Sequence, residues 1–255
     1  MSMYNTSWIA GTPRTGSMLT FNLTREIFGI NSKNIKPQHV PQRDVDMFTC
    51  YTNEAMNDTD SLNKYVFKVH QTLRLDLLKS KYIVNIRNPF DICASFYEFM
   101  KCDFRHAMRA AKTHLDTIQH YQACPKDRIM FVQYDELTND TSSTILKLSN
   151  FLECDMDIIS AQPIAAKFSK QAVNKLIEES TKNLEEKLLS NHQPEDGSIV
   201  RLSETNYRAF DLNTGFQTRH ISNRNSGEWK KSFNKAEISI ITSELKESAE
   251  ALGFN

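Results

Sequence analysis

The sequence predicts an α/β fold, with a central, mainly parallel sheet flanked by helices. Three observations predict it. Short apolar segments alternate with longer segments whose apolar residues recur three and four positions apart. The first apolar segment runs directly into a glycine-bounded turn and then a helical pattern. No internal repeat competes with that alternation. Strands separated by helices return through crossovers, which make neighbouring strands parallel.

The elements follow in order. Ser7–Gly11 reads as a strand, and Ser17–Phe28 as a helix carrying Met18, Leu19, Phe21, Leu23 and Ile27. Tyr65–His70 alternates apolar and polar residues, as a strand does. Lys81–Arg87 reads as another strand, ending at Asn88-Pro89. Proline suits the first turn of a helix, so Phe90–Met100 follows as one. Asp103–Cys124 is a longer helix with Phe104, Ala107, Met108, Ala111, Leu115 and Ile118 on one stripe. Arg128–Tyr134 is a fourth strand. Further helices are expected at Ser142–Leu152, Phe168–Leu189 and Lys235–Leu252. Lys33–Asn63 and Ser190–Ser226 are polar and fit neither period.

Composition narrows the class. The 255 residues carry 31 Lys+Arg and 31 Asp+Glu, so a chain that coats nucleic acid by bulk charge is disfavoured. With 40% hydrophobic residues the chain can bury a core, and its length suits a single domain over 1–255. No apolar run reaches the roughly 18 residues that span a membrane. The start, MSMYNTSWIAG, has neither the basic nor the apolar region of a secretory signal. The five cysteines are scattered and form no C-x-x-C, so reduced thiols in the cytoplasm are expected. Sequons at Asn5, Asn22, Asn57 and Asn139 then read as chance matches.

The turn Gly11-Thr-Pro-Arg-Thr-Gly-Ser17 lies between strand and helix. Backbone N–H groups there form a nest, and the helix dipole adds positive character, so phosphate or sulfate is the natural guest. A Walker loop would continue from Gly16 with Lys and a metal-binding hydroxyl. Ser17 and Met18 stand there instead, which disfavours kinase chemistry. Arg14 places a cation within the turn. A second constellation is Arg87-Asn-Pro-Phe-Asp-Ile-Cys-Ala-Ser95, where Arg87 closes a strand and Ser95 lies on the next helix. A guanidinium fork with a hydroxyl can clamp phosphate. Lys68 and His70 sit two apart at a strand end and share one face.

Together these pieces resemble the sulfotransferases that use 3′-phosphoadenosine 5′-phosphosulfate (PAPS). TPRTGS resembles their 5′-phosphosulfate loop. RNPFDICASFYEF matches R-x-P-x-D-x-x-x-S-x-x-x-F at Arg87, Pro89, Asp91, Ser95 and Phe99. FVQYDEL, the helix ending NFLE, and Gly227-Glu-Trp-Lys230 resemble later elements of the family, so the likeness runs from Ile9 to Phe233. It implies the P-loop-like sulfotransferase fold, PAPS as donor, and adenosine 3′,5′-bisphosphate (PAP) as product, with no metal. It also implies that Arg14, Thr15, Gly16, Ser17 and Met18 cradle the 5′-phosphosulfate, and that Arg87 and Ser95 hold the 3′-phosphate. Tyr134 would contact the nucleotide. Met18 replaces a second hydroxyl of the family loop, a contact that Thr20 could take over. The basic triplet before the late glycine falls on Ser222-Asn223-Arg224, which leaves Arg224 as its cation.

The family's K-x-H element supplies a catalytic lysine and a histidine base, here Lys68 and His70, acting with Arg14. Glu54 is an alternative base. Leu19 stands where the aryl and steroid branch has tryptophan, which points to a carbohydrate or other small alcohol as acceptor, shaped by the segments at about 33–63 and 190–226. His106, His114 and His120 lack the spacing of a metal pair and read as a solvated or partly packed helix face. The rival readings are a kinase with a degenerate P-loop and a non-catalytic nucleotide-binding module.

Overall fold

A computed structural model describes residues 4–31, 34–36, 48–60, 62–189, 199–203, 206–211, 213–218, 221 and 224–254. Strand β1 (Thr6–Ala10) turns into helix α1 (Ser17–Asn31), followed by β2 (Asn34–Lys36) and a π-helical turn at Tyr51–Ala55. Next come β3 (Asn63–Val69), β4 (Ser80–Ile86), α2 (Pro89–Met100), α3 (Phe104–Gln122) and β5 (Ile129–Gln133). Then follow α4 (Tyr134–Asn139), α5 (Thr141–Phe151), α6 (Ile158–Lys167) and α7 (Lys170–Leu189). The hairpin β6 (Ile199–Ser203) and β7 (Asn206–Ala209), a 3-10 turn at Trp229–Ser232, and α8 (Lys235–Ala251) complete the order.

The main sheet runs β2-β3-β1-β4-β5, and all its pairs are parallel. The chain leaves β1 toward β3 on one side and later returns to β4 on the other. A crevice forms outside the carboxyl ends of strands at such a switch. Two-residue periodicity sorts the strands' side chains. Ile9, Val66 and Ile83 pack with Phe21, Leu23 and Ile27 of α1. Trp8, Phe67 and Tyr82 face the other way, with Tyr51 and Tyr121. The Trp8 and Phe67 rings stack at 4.7 Å. A third cluster joins α2, α3 and α8 through Phe90, Ala107, Ala111, Ile241 and Leu245.

Helix starts follow local chemistry. The Asn88 side chain accepts from the Phe90 N–H at 3.0 Å ahead of Pro89, and Asp103 accepts from His106 N–H at 3.0 Å. Three expectations need correcting. Tyr134 is not strand but opens α4, and the helix expected from Phe168 starts at Lys170. Phe168 instead closes α6, an unexpected helix with Pro163 inside it. Parts of the two polar segments form β2, the π-helical turn and the hairpin; residues 33, 37–47, 61, 190–198, 204, 205, 212, 219, 220, 222 and 223 lie outside those described. Among the described residues, no helix is long and apolar enough to cross a membrane.

Candidate active site

Strand register brings the site together. Ala10 pairs with Val69 on one side and with Val84 on the other, so β1, β3 and β4 end level. Just beyond those ends come the Gly11–Gly16 turn, His70 and Arg87. They border a cavity of about 1050 Å³ whose lining includes Arg14, Gly16, Ser17, Met18, Lys68, His70, Arg87, Tyr134 and Arg224. Nine of the eleven expected site residues thus border one space. Ser95 stands behind Arg14, accepting from its Nε, and Thr15 is turned inward.

In the turn, Arg14 adopts φ 75° and Gly16 φ 85°. A left-handed arginine costs on the order of 1–3 kcal/mol and persists only where surroundings enforce it. Here Arg87 Nη1 donates to the Arg14 carbonyl at 2.7 Å, and Arg14 Nε donates to Ser95 Oγ at 2.9 Å. The Arg14 guanidinium also lies 4.3 Å from the Phe99 ring centre. Burial, and then the nearby Arg87, pull its pKa down to about 10, so it stays charged at neutral pH. A Cβ on Gly16 would come within 2.9 Å of Leu137 Cδ2 and 3.1 Å of the Tyr134 ring, so only glycine fits that approach. Thr15 is fully buried and donates to the Thr12 carbonyl at 2.9 Å, leaving its backbone N–H as its route to a ligand. Thr20 does not replace the hydroxyl absent at Met18. It is buried and accepts from Asn85 Nδ2 at 2.8 Å, tying α1 to β4.

Arg87 is buried, with its guanidinium 3.9 Å from the Tyr134 ring centre. Its Nε is a buried donor without a hydrogen-bond acceptor among the described residues. Asp91 does not face the cavity as a ligand. Its Oδ2 accepts from the Gly227 N–H at 2.8 Å, and Trp229 stacks on Phe90 at 4.8 Å, so Gly227–Lys230 is docked on the start of α2. That docking carries Arg224 to the cavity wall. Its Nη1 donates to Glu98 Oε1 at 2.6 Å and to Ser232 Oγ at 2.9 Å.

Lys68 and His70 are in contact, Nζ to Nε2, at 2.8 Å. His70 Nδ1 lies 2.7 Å from the Gly11 carbonyl, which can only accept. Nδ1 therefore carries the proton and Nε2 the lone pair, directed at the Lys68 ammonium. An imidazole so oriented can take a proton from a group beside Lys68. Glu54 is not in reach. Its turn sits at the amino end of the sheet, where the Asn5 side chain donates to the Ala55 carbonyl and Tyr51 to the Leu78 carbonyl.

Sequence reading missed two contributors. Arg208 of β7 borders the cavity with its guanidinium 4.1 Å from the Phe99 ring centre, near Arg14. His114 is not on a solvated face: it is 0% exposed, while His106 is exposed and His120 bonds to the Leu73 carbonyl. His114 Nε2 accepts from the Arg87 N–H at 3.3 Å, and Nδ1 lies 3.1 Å from Thr12 Oγ1. Burial pulls its pKa from 6.5 down to about 3. Between those values the unfolded chain binds a proton that the folded chain does not, so stability falls as pH drops from 6.5 toward 3. Burial shifts Asp91 upward, which acts in the opposite sense at its own titration. Melting temperature followed against pH should show the acid loss, and His114→Leu should flatten it. An unchanged slope would contradict the burial of a neutral imidazole.

The arrangement offers two cationic stations on adjacent strand ends, a lysine beside a directed imidazole lone pair, and an apolar wall that includes Leu19, Phe96, Phe99, Phe168 and Phe216. No curated protein matches the chain at a significant level. Solved structures share its fold. Retinol dehydratase in a complex with retinol and PAP is 12% identical, with TM-score 0.61 over 96% of this chain and 81% of that one. Mouse sulfotransferase SULT7A1 complexed with PAP is 13% identical, with TM-score 0.58 over 97% and 84%. The sulfotransferase domain of the Synechococcus PCC 7002 olefin synthase is 12% identical, with TM-score 0.53 over 100% and 97%. At these identities they speak for the fold. The family model that describes the sulfotransferase domain matches residues 5–252, and the chain belongs to that family.

Proposed function

We propose that residues 1–255 form one domain that moves a sulfuryl group from PAPS to an acceptor hydroxyl, with PAP as product. The observation that carries this reading is the placement of Arg14 and Arg87 on neighbouring strand ends, with the Lys68–His70 pair beside them. The residues suit the donor. Arg87 Nε is a buried donor with no acceptor among the described residues, as a site awaiting an anion would have. Gly16 leaves the turn open where a Cβ would meet Leu137. Retinol dehydratase and the mouse sulfotransferase were both solved with PAP, which agrees with the choice of nucleotide.

When bound, PAPS supplies a sulfuryl group whose bond to the 5′-phosphate oxygen breaks as the acceptor oxygen bonds to sulfur. The turn from Arg14 to Met18, at the start of α1, holds the 5′ end through backbone donors and the helix dipole. Arg87, Ser95, Tyr134 and Arg224 hold the 3′-phosphate end. Arg14 and Lys68 neutralise charge that develops on the departing oxygen. His70 Nε2 accepts the acceptor's hydroxyl proton. The acceptor hydroxyl displaces Lys68 from that lone pair, which frees the ammonium to turn toward the transferred group. The aromatic and aliphatic wall gives an alcohol or a sugar face an apolar surface to lie on. Retinol dehydratase was solved with androsterone and with retinol, small apolar alcohols, so this fold can take such molecules. A carbohydrate acceptor rests on Leu19 alone. The experiment is incubation with PAPS carrying labelled sulfate and a panel of sugars and apolar alcohols. Label should appear in a sulfate ester. Magnesium-dependent phosphate transfer from ATP, with no sulfate ester formed, would favour a kinase.

A further inference from the structure

We propose that His114 is a positioning residue that fixes the spacing between the two phosphate-binding stations, an inference that rests on the PAPS reading above. Helix α3 buries a stripe of Ala107, Ala111, His114, Ile118 and Tyr121. A leucine at 114 would satisfy that packing, so the imidazole is there for its polar edges. Both are engaged. The Arg87 N–H donates to Nε2 at 3.3 Å, which requires a bare nitrogen there. The proton of a neutral imidazole then lies on Nδ1, where it donates to Thr12 Oγ1 at 3.1 Å.

Position gives this bridge its consequence. The β1–β4 ladder ends at Ala10 and Val84, so the turn after β1 and Arg87 both lie beyond its last pair. His114 bridges the two. Thr12 lies two residues before Arg14, and Arg87 Nη1 closes the circuit on the Arg14 carbonyl at 2.7 Å. Besides the direct Arg87–Arg14 and Arg14–Ser95 bonds, the 5′ station and the 3′ station are thus joined through a buried side chain that is not part of the cavity lining. A ligand that uses both stations gains from their being held at a fixed separation, whereas a ligand that uses one does not.

The test is calorimetry of two nucleotides on wild type and His114→Leu, a change close in volume that removes both bonds. Adenosine 3′,5′-bisphosphate engages both stations, and adenosine 5′-monophosphate engages only the 5′ turn. The bisphosphate should lose about tenfold in affinity and the monophosphate less than about threefold. Thr12→Val removes only one of the bonds and should show the same selectivity with a smaller loss. The double variant should be no worse than His114→Leu, because both changes break the same circuit. Thr12→Val carries the comparison should His114→Leu fail to fold. His114→Gln, with an amide donor and acceptor, should recover part of the bisphosphate affinity. Wild-type bisphosphate affinity in His114→Leu, or equal losses for the two nucleotides, would overturn the proposal. Failure of the wild-type chain to bind the bisphosphate would overturn the functional reading instead, and this inference with it.

Discussion

His70→Ala is expected to lower kcat for sulfuryl transfer by about 10²–10⁴, the range of a lost general base, while PAP binds with nearly wild-type affinity. The imidazole is oriented by the Gly11 carbonyl and presents its lone pair beside Lys68, at 2.8 Å. The Gly11 carbonyl lies at the start of the turn, ahead of the Arg14–Met18 stretch assigned to the 5′ end. The acceptor would therefore meet a site with the donor held but with nothing to take its proton, since an ammonium has no lone pair. Single-turnover rates and PAP calorimetry on the same variant separate the two roles. Binding lost in proportion to rate would make His70 a structural link between β3 and the Gly11 turn. A rate within about threefold of wild type would remove it from the chemistry.

Arg87→Ala is expected to weaken PAP binding by about a hundredfold, near 3 kcal/mol. Two effects combine. The fork that would grip the 3′-phosphate disappears, and the Arg14 carbonyl loses the donor that holds it at 2.7 Å. The turn then no longer stabilises the left-handed Arg14. Arg87→Lys keeps the charge but loses the fork, and should fall between alanine and wild type. Calorimetry reads the series directly. Wild-type affinity in the alanine variant would sink the 3′-phosphate assignment.

Much of the sheet was legible because strand, turn and helix follow one another within a few residues at Ser7–Phe28 and at Lys81–Met100. Local periodicity and a proline at a helix start decide such segments. The site was legible where a charged residue closes a strand, as Arg87 does, or where two residues share a strand face, as Lys68 and His70 do. Other features depend on contacts distant in sequence. His114 looked like one of three histidines on a polar helix face, yet its partners lie 27 and 102 residues away. Arg208 sits on a hairpin within a polar segment where neither period shows. Helix α6 was hidden by Pro163, which reads as a breaker although the helix runs through it. Glu54 was a fair candidate base by residue type. Only the packing of its turn against the start of β1 places it at the wrong end of the sheet. The net charge of zero concealed the site as well, because Arg14, Lys68, Arg87, Arg208 and Arg224 gather at one cavity while carboxylates elsewhere balance them.

The most direct test of sulfuryl transfer is the stoichiometry of the reaction itself. Wild-type protein is given PAPS labelled in its sulfate and an alcohol from the acceptor panel, and PAP and sulfate ester are counted together. The expected result is one PAP formed for each sulfate ester, with both products disappearing together in His70→Ala. PAP binding without any ester from sugars or apolar alcohols, and with the label left on PAPS, would contradict it.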